Sequence, residues 1–235
     1  MRAEGEALPP LSVPTHAPAG PPRQRDPSPL LPLGTRFVKR SVDLVGGLIL
    51  LIVCAPLLLV VAAAVFITDP GPIRFRQVRV GLNGAPFRVS KFRTMVIDAE
   101  ERLHSDPELL ARYHANDHKL PPDEDPRLTR TGRFLRATSL DELPQLLNVV
   151  WGTMSLVGPR PILYSEVPRY GELWGTVSAV KPGLTGLWQV SGRSEIVFPQ
   201  RAELDATYAT SVTLRGDLSI MFRTLGVVVR RHGAW

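Results

Sequence analysis

The chain has 235 residues, a formal net charge of +6 and a pI of about 10.0, and 44% of its residues are hydrophobic. This length fits one folded domain with appended segments, and the basic balance favours anionic partners such as phosphates, nucleic acid or a membrane surface. Cys54 is the single cysteine, which excludes an intrachain disulfide and a cysteine-based zinc site.

The N-terminal segment, residues 1–34, is predicted to be a disordered tail. Nine prolines fall within residues 1–33, and a segment of this composition buries too little apolar surface to order itself. It does not have the form of a secretory signal, because the first long apolar run begins only at Leu44 and is longer than a signal core.

The longest apolar run predicts a membrane segment. It covers residues 44–67, which are 24 residues without a charge. A helix of that length measures about 36 Å, which exceeds a hydrocarbon core of about 30 Å. A buried core helix is the alternative, but soluble cores seldom need so long a helix that is apolar all round. Residues 35–68 are therefore assigned to a membrane anchor.

Two features bear on whether this anchor crosses the bilayer. Pro56 divides the run into two short arms, and proline kinks a helix. Basic residues lie on both flanks and prefer the cytoplasmic side, so the pattern favours a re-entrant anchor in one leaflet. A spanning helix stays open, because many membrane-crossing helices tolerate a central proline. The flanking residues are Arg36, Lys39 and Arg40 before the run and Arg74, Arg76, Arg79, Arg88, Lys91 and Arg93 after it.

The segment after the anchor predicts a β-hairpin. Residues 73–80 and 87–92 are rich in β-formers, and "GLNG" between them supplies turn residues. A helix is predicted from residue 98 to about residue 112, followed by a polar loop over residues 113–127.

The second half of the chain is predicted to be mostly helical. Ser139 and Glu142 have the spacing of a capping box before an apolar stripe. Residues 163–180 have a helical, amphipathic pattern, and "KPGLTGLWQVSGR" over residues 181–193 predicts a loop punctuated by glycines. Residues 217–231 predict an apolar and basic helix that suits a membrane surface.

Asp141 and Glu142 are adjacent carboxylates at the start of the predicted helix. Acidic residues in that place are often structural, because the helix dipole favours them. Their basic neighbours favour a chemical role instead, since a carboxylate in such company can attack a phosphate or hold Mg²⁺. Arginine also suits bidentate binding of phosphate. The basic residues concerned are Lys91, Arg93, Arg136 and Arg160.

Other candidate sites are weaker. His114 and His118 are four residues apart with Asp117 between them, but the segment predicts a solvated loop and offers no third metal ligand. The glycine motifs GxGxxG and GxxxxGK[ST] are absent from the sequence. Aromatic residues make up 7% of the chain and do not interleave with the basic patches, so nucleic acid is not an expected partner.

Five stretches in fixed order resemble the bacterial sugar transferase family, the monotopic phosphoglycosyl transferases. They are "KRSVDLVGGLILLIVCAPLLLVVAAAVFI", "GPIRFRQVRVGLNGAPFRVSKFRTM", "DPRLTRTGRFLRATSLDELPQLLNVVWGTMSLVGPRP", "VKPGLTGLWQVSGR" and "RTLGVVVRRHGAW". The resemblance covers residues 36–235. Pro56 matches the family's mid-helix proline, but the chain departs from the family pattern at Ala55, where many relatives have the serine of a Ser-Pro pair.

The resemblance implies an α+β fold that is mainly α. Residues 35–68 would form a re-entrant helix-break-helix anchor in a single leaflet. Residues 69–235 would form a cytoplasmic catalytic domain with amphipathic interfacial helices and a small β-hairpin. The implied location is the cytoplasmic face of the bacterial inner membrane.

The resemblance also implies a reaction. A sugar 1-phosphate moves from a UDP-sugar to polyprenyl (undecaprenyl) phosphate with release of UMP, the first membrane step of exopolysaccharide or glycoconjugate synthesis. Asp141 matches the family's nucleophile, which forms a covalent phosphosugar intermediate with the help of Mg²⁺ at the same residue. Glu142 matches its acidic partner, as a base, a metal partner or a support. The phosphate-binding positions match Lys91, Arg93, Arg136 and Arg160, and Gln189 and Arg193 are candidates for binding the nucleotide or sugar.

Two other functions stay open from the residues alone. One is a non-catalytic membrane-anchored adaptor whose basic surface binds lipid, and the other is a single-span membrane hydrolase of phosphate esters. Galactose, glucose, an N-acetylhexosamine and a modified amino sugar are all compatible with the sequence, which also leaves the oligomeric state open.

Overall fold

The computed structural model describes residues 32–116, 120–192 and 195–230. The tail predicted for residues 1–34 lies outside these ranges except for its last three residues, and its disorder stays a prediction. Most of the described chain is helical, with one β-hairpin and one pair of short parallel strands. The predicted fold, α+β and mainly α, is therefore confirmed.

The longest element is a single α-helix, α1 (Leu33–Thr68), which has 36 residues and contains Pro56. It is long and apolar enough to cross a membrane, and only 11% of its most apolar window is buried against the rest of the chain. So large an exposed aliphatic surface suits a lipid environment better than water. The predicted apolar helix is thus confirmed, but it runs through Pro56 as one element instead of the predicted helix-break-helix, and its re-entry into one leaflet stays a prediction.

Arg40 fastens the first part of α1 to the rest of the domain. Its Nη1 and Nη2 donate to the carbonyl oxygens of Val149 and Val150, both at 2.7 Å. These carbonyls lie near the end of helix α5 (Leu146–Trp151). The guanidinium therefore satisfies and neutralises the negative C-terminal pole of α5.

Two more contacts hold the same part of α1. The buried carboxylate of Asp43 accepts hydrogen bonds from the Ser155 hydroxyl and the Leu156 amide, both at 2.9 Å. The Lys39 ammonium lies 2.6 Å from a carboxylate oxygen of Asp217. Lys39, one of the charges predicted to flank the membrane segment, is thus paired with Asp217.

The last part of α1 contacts the same domain. Val65 is buried in one apolar cluster with Phe92 and Leu135. Immediately after the helix, Asp69 forms an ion pair of 2.8 Å with Arg93. Both ends of the apolar helix are therefore held by one folded body.

The predicted hairpin is confirmed. Strands β1 (Arg74–Val80) and β2 (Pro86–Phe92) pair antiparallel. The chain reverses over residues 81–85, where Asn83 takes a left-handed φ of 54°. Asparagine tolerates that conformation better than most residues, which explains why "GLNG" makes the turn.

The helix predicted over residues 98–112 is two helices, α2 (Ala99–Ser105) and α3 (Pro107–Ala115). Asp106 separates them, because its carboxylate accepts hydrogen bonds from two amides in the first turn of α3, both at 3.0 Å. Because α3 continues to Ala115, the loop predicted over residues 113–127 begins later than predicted.

The segment that carries the acidic pair differs from its prediction. Helix α4 (Arg130–Thr138) ends at Ser139, which takes a left-handed φ of 58°. A 3₁₀ helix (Leu140–Gln145) follows and continues into α5. The capping box predicted for Ser139 and Glu142 is wrong, because the Ser139 side chain makes no capping hydrogen bond to the described residues.

A parallel strand pair occupies part of the predicted glycine-rich loop. β3 (Ser155–Val157) pairs with β4 (Gly183–Thr185), so the loop predicted over residues 181–193 is partly wrong. Their backbones approach so closely that a Cβ on Gly183 would overlap the Gly158 nitrogen. The remaining elements are a 3₁₀ helix (Tyr164–Leu173), α6 (Trp174–Ser178), α7 (Leu187–Ser191), α8 (Gln200–Thr210) and α9 (Leu214–Arg230).

Two further helical predictions are confirmed within the described chain. Residues 163–180 are mostly helical, although the larger part is 3₁₀ rather than α. The helix predicted from residue 217 begins earlier, with α9, and residue 231 lies outside the described ranges. Four exposed apolar residues are spaced along α9 so that they share one face. They are Leu214, Leu218, Phe222 and Leu225.

The Arg40→Ala variant tests how α1 is held. It leaves the carbonyl oxygens at the end of α5 without their charged donor, so we expect the free energy of unfolding to fall by about 2 kcal/mol. Arg36→Ala is the matched control, because Arg36 is exposed on the same helix. Thermal unfolding of both variants in one detergent gives the comparison, and equal midpoints would contradict the assignment.

Candidate active site

Asp141 and Glu142 share one cation. Both lie in the 3₁₀ helix between α4 and α5, which packs against β2. The Lys91 ammonium, on β2, lies 2.7 Å from a carboxylate oxygen of Glu142 and 3.7 Å from one of Asp141. The fold thus brings the acidic pair and one of the predicted phosphate-binding residues together.

Arg160 is the second cation at Glu142. It lies in the loop after β3, and its Nη2 is 3.4 Å from the Glu142 oxygen that also binds Lys91. Burial alone would raise the pKa of Glu142, but Lys91 and Arg160 outweigh it and lower the pKa to about 2. Glu142 is therefore a stable carboxylate and a weak proton acceptor.

Asp141 is in a different electrostatic state. Its side chain is buried, and burial raises its pKa even though Lys91 and, more weakly, Arg136 act in the opposite direction. The charge of Glu142 next to it contributes to the rise. Asp141 is thus the less solvated and less neutralised carboxylate of the two, a condition that suits a nucleophile.

Arg136 reaches the acidic pair from α4. Its Nε donates to the Thr94 hydroxyl at 3.1 Å. Helix α4 packs directly against the backbone at Thr94. A Cβ on Gly132 would overlap the carbonyl oxygen of Thr94. The glycine at position 132 therefore allows α4 to carry Arg136 close to Asp141.

Arg93 is not brought into this cluster. Its guanidinium is buried and binds Asp69 twice, with Nη1 donating to the carboxylate at 2.8 Å and Nη2 donating to the backbone carbonyl. Arg93 thus holds the end of α1, and the phosphate contact predicted for it stays a prediction.

A small, open surface cleft is lined by Glu142 and lies next to Asp141. Gln189, a predicted nucleotide or sugar ligand, lines this cleft, and its buried Oε1 has no hydrogen-bond partner among the described residues. Arg193, the other candidate, lies outside the described residues. The lining consists of Arg79, Val89, Lys91, Glu142, Gln145, Arg160, Pro161, Gly183, Leu184 and Gln189.

Three charged residues at or beside the cleft were not predicted as site residues. Arg79 lines the cleft, and Glu166 lies 3.6 Å from both Arg79 and Arg201. The hairpin could have indicated Arg79, because pairing across "GLNG" sets it on the same face as Lys91. No local pattern marks Glu166 or Arg201, which the fold brings in from distant segments.

The donor set fits Mg²⁺ only if the substrate contributes ligands. Among the described residues, no group of three or more His, Cys, Asp or Glu side chains is placed to hold a metal. Asp141 and Glu142 supply two carboxylates, and Mg²⁺ commonly takes one or two carboxylates together with substrate phosphates. Asp117 and His118, which belong to the other metal candidate in the sequence, lie outside the described residues.

Comparison with known proteins identifies relatives along nearly the whole described chain. A family model described as "Bacterial sugar transferase" matches residues 34–231. The UDP-galactose-lipid carrier transferase of Erwinia amylovora is 44% identical over 205 residues, covering 86% of this chain and 42% of the relative. The undecaprenyl-phosphate galactose phosphotransferase of Salmonella typhimurium gives the same identity and coverage.

A shorter relative matches over most of its own length. The exopolysaccharide production protein ExoY of Rhizobium meliloti is 38% identical over 203 residues, covering 85% of this chain and 88% of the relative. The chain thus spans less than half of the two longer relatives and most of this one.

Neutralising each carboxylate separately tests the contrast between them. At pH 7, Asp141→Asn should raise the thermal midpoint, because burial disfavours the charge that this variant removes. Glu142→Gln should lower it by the equivalent of about 1–3 kcal/mol, because Lys91 and Arg160 lose a bound anion. The charge of Glu142 stabilises the fold above the pKa that this group has in the unfolded chain, and this stabilisation is lost as the pH falls. The difference in thermal midpoint between the wild type and Glu142→Gln should therefore become smaller in acid. Shifts of the same sign in both variants would contradict the assignment.

Proposed function

The chain belongs to the bacterial sugar transferase family, and on that premise we propose that it transfers a sugar 1-phosphate from a UDP-sugar to polyprenyl phosphate. The products are polyprenyl diphosphate sugar and UMP, and the reaction begins the assembly of an exopolysaccharide or another glycoconjugate. The observation that carries the proposal is a buried, incompletely neutralised carboxylate, Asp141, which lies 3.7 Å from Lys91, a residue that lines a cleft with two arginines.

The charge of the site suits anionic substrates. Three basic side chains and one carboxylate line the cleft, so its lining has a surplus of positive charge that a phosphate or diphosphate would balance. The basic residues are Arg79, Lys91 and Arg160, and the acidic residue is Glu142.

The first step would be attack of an Asp141 carboxylate oxygen on the β-phosphorus of the UDP-sugar. A bond forms between that oxygen and phosphorus, the bond from phosphorus to the bridging oxygen breaks, and UMP leaves with the bonding electrons. Lys91 and Arg136 lie where they can neutralise the charge on the transferred phosphoryl oxygens. The product of this step is a phosphosugar on Asp141.

In the second step, the phosphate oxygen of the polyprenyl acceptor attacks the same phosphorus and releases the Asp141 carboxylate. A phosphate monoester is largely dianionic at pH 7, so it needs no strong base to activate it. The low pKa of Glu142 is consistent with that view. Glu142 then acts by holding Lys91 and Arg160 in place rather than by accepting a proton.

Mg²⁺ is proposed as the cofactor, held by Asp141 with oxygen ligands from the substrate. When bound, it would neutralise phosphate charge in addition to the charge supplied by the basic side chains. Every other contribution described above comes from the chain itself.

A re-entrant anchor on one side of the membrane is proposed for α1. Both ends of this helix are held by the same domain, through Asp43 at one end and Asp69 at the other. A straight span would carry these two attachment points to opposite sides of the bilayer. Together with Pro56 inside the helix, this supports insertion into a single leaflet, with the domain at the cytoplasmic face of the bacterial inner membrane.

This arrangement also suits two unlike substrates. The apolar face of α9 and the exposed flank of α1 would hold the cleft at the depth of the lipid headgroups. The UDP-sugar then arrives from water and the polyprenyl phosphate from the membrane. A non-catalytic adaptor would also bind lipid. Lipid binding alone does not explain Asp141, a buried carboxylate whose charged form is disfavoured by burial.

Replacing the proposed nucleophile tests the chemistry. Asp141→Asn should reduce sustained UMP release from a UDP-sugar, in the presence of polyprenyl phosphate and Mg²⁺, by at least about 10³-fold, because an amide is a far weaker nucleophile. Chromatographic assay of UMP measures the rate. Asp98→Asn, at an exposed aspartate, should leave the rate unchanged. Full activity of Asp141→Asn would remove Asp141 from the reaction.

The topology has its own test. Single cysteines at Gly34 and Ala85, both exposed, are introduced separately into a Cys54→Ala chain. A membrane-impermeant maleimide should label both from the same side of sealed vesicles, because the proposed anchor returns to the leaflet that it enters. Labelling from opposite sides would establish a spanning helix.

A further inference from the structure

The cleft has a basic residue that the proposed mechanism leaves without a role. Arg79 lines the cleft together with Lys91, Glu142 and Arg160. In the hairpin register it pairs opposite Phe87, four residues before Lys91 on β2. Arg79 and Lys91 therefore share one face of the hairpin, with their Cα atoms about 14 Å apart along the strands. Lys91 is at the end near Asp141, and Arg79 is at the far end.

The guanidinium of Arg79 is held in place by the side chain of Gln77. Its Nε and Nη2 both donate to Oε1 of Gln77, at 3.1 Å and 2.6 Å. Nη1 has only longer contacts, 3.4 Å to the carbonyl oxygen of Pro161 and 3.6 Å to Glu166. An arginine has five N–H donors, so this side chain keeps donors without a short partner among the described residues.

The charge of Arg79 is only partly compensated by its surroundings. Burial and the neighbouring Arg160 lower its pKa to about 10. Glu166 does not correct this by itself, because it lies at the same 3.6 Å from Arg201 and also accepts the Leu163 amide at 2.8 Å. A partly buried guanidinium with an incomplete set of acceptors is well suited to bind a phosphate.

We propose that Arg79 binds the α-phosphate of the UDP-sugar and stabilises the departing UMP. This assignment rests on the proposed function. With Asp141 attacking the β-phosphorus near Lys91, the leaving phosphate lies on the opposite side of that phosphorus, toward the far end of the cleft. As the bond to the bridging oxygen breaks, its electron pair goes to that oxygen, and Arg79 neutralises the new charge on UMP.

The competing explanation is a purely structural one, in which Arg79 joins β1 to the loop that contains Pro161. The two explanations predict different ligand dependence. If Arg79 is only structural, replacing it would lower the free energy of unfolding and would affect the binding of both substrates alike. If Arg79 binds the α-phosphate, replacing it weakens the binding of UMP and leaves the polyprenyl phosphate step unaffected.

Equilibrium binding of UMP to the full chain in detergent micelles is the direct test. Arg79→Gln should weaken UMP binding by about 10- to 100-fold, the loss expected for charge-assisted hydrogen bonds to a phosphate. Arg76→Gln is the matched control, because Arg76 lies on the same strand but is exposed and does not line the cleft. In turnover, Arg79→Gln should lower kcat and raise the KM of the UDP-sugar without changing the KM of polyprenyl phosphate.

The outcomes separate this assignment from the proposed function. UMP binding by a folded Arg79→Gln variant as tight as that of the wild type would overturn the role of Arg79 and leave the transferase proposal standing. A wild-type chain that neither binds UMP nor releases it from any UDP-sugar would overturn both. Should Arg79→Gln fail to fold, Arg79→Lys keeps the charge without the planar fork and should bind UMP more weakly than the wild type, whereas UMP binding as tight as that of the wild type would overturn the role of Arg79.

Discussion

The site depends on one shared cation. Lys91 lies against both carboxylates of the acidic pair, 2.7 Å from Glu142 and 3.7 Å from Asp141. Because the contact with Glu142 is short and Arg160 reinforces it, that carboxylate is fully compensated, while Asp141 is left buried with weaker compensation. Two adjacent residues of similar chemistry therefore acquire different electrostatic states from their surroundings.

The fold supplies this asymmetry through backbone geometry. The left-handed Ser139 ends α4 and starts the 3₁₀ helix that turns the acidic pair toward β2. Close packing at Gly132 sets Arg136 beside the pair, and close packing at Gly183 and Gly158 sets the strand after which Arg160 follows. Each of these positions allows an approach that a side chain would block, so the cation cluster is a product of backbone contacts.

The sequence indicated which residues gather at this site better than it indicated the backbone geometry that brings them together. Hydrophobicity and turn chemistry are local properties, and they were sufficient for α1 and for the hairpin with its "GLNG" turn. The capping box at Ser139 was wrong because the same spacing also fits a serine that ends the preceding helix. Arg93 shows a related limit: its partner Asp69 is 24 residues away, and a list of basic residues does not indicate which of them are already paired.

The parts that escaped prediction are those that depend on distant pairing. The strand pair β3–β4 is only three residues long on each side and rests on glycine contacts between remote segments. Tertiary packing alone places Glu166 and Arg201 beside the cleft residue Arg79. Arg79 lies between these cases, because the hairpin register sets its face but only the folded chain shows that it is partly buried and short of acceptors.

The central claim is that Asp141 carries the sugar phosphate between the donor and the acceptor. Intact-protein and peptide mass spectrometry after mixing the chain with a UDP-sugar and Mg²⁺, without polyprenyl phosphate, tests it most directly. The account predicts one phosphosugar adduct on the peptide that contains Asp141, formed together with one equivalent of UMP and removed when polyprenyl phosphate is added. Turnover with the acceptor, in a chain that shows no adduct and no UMP before the acceptor arrives, would contradict it.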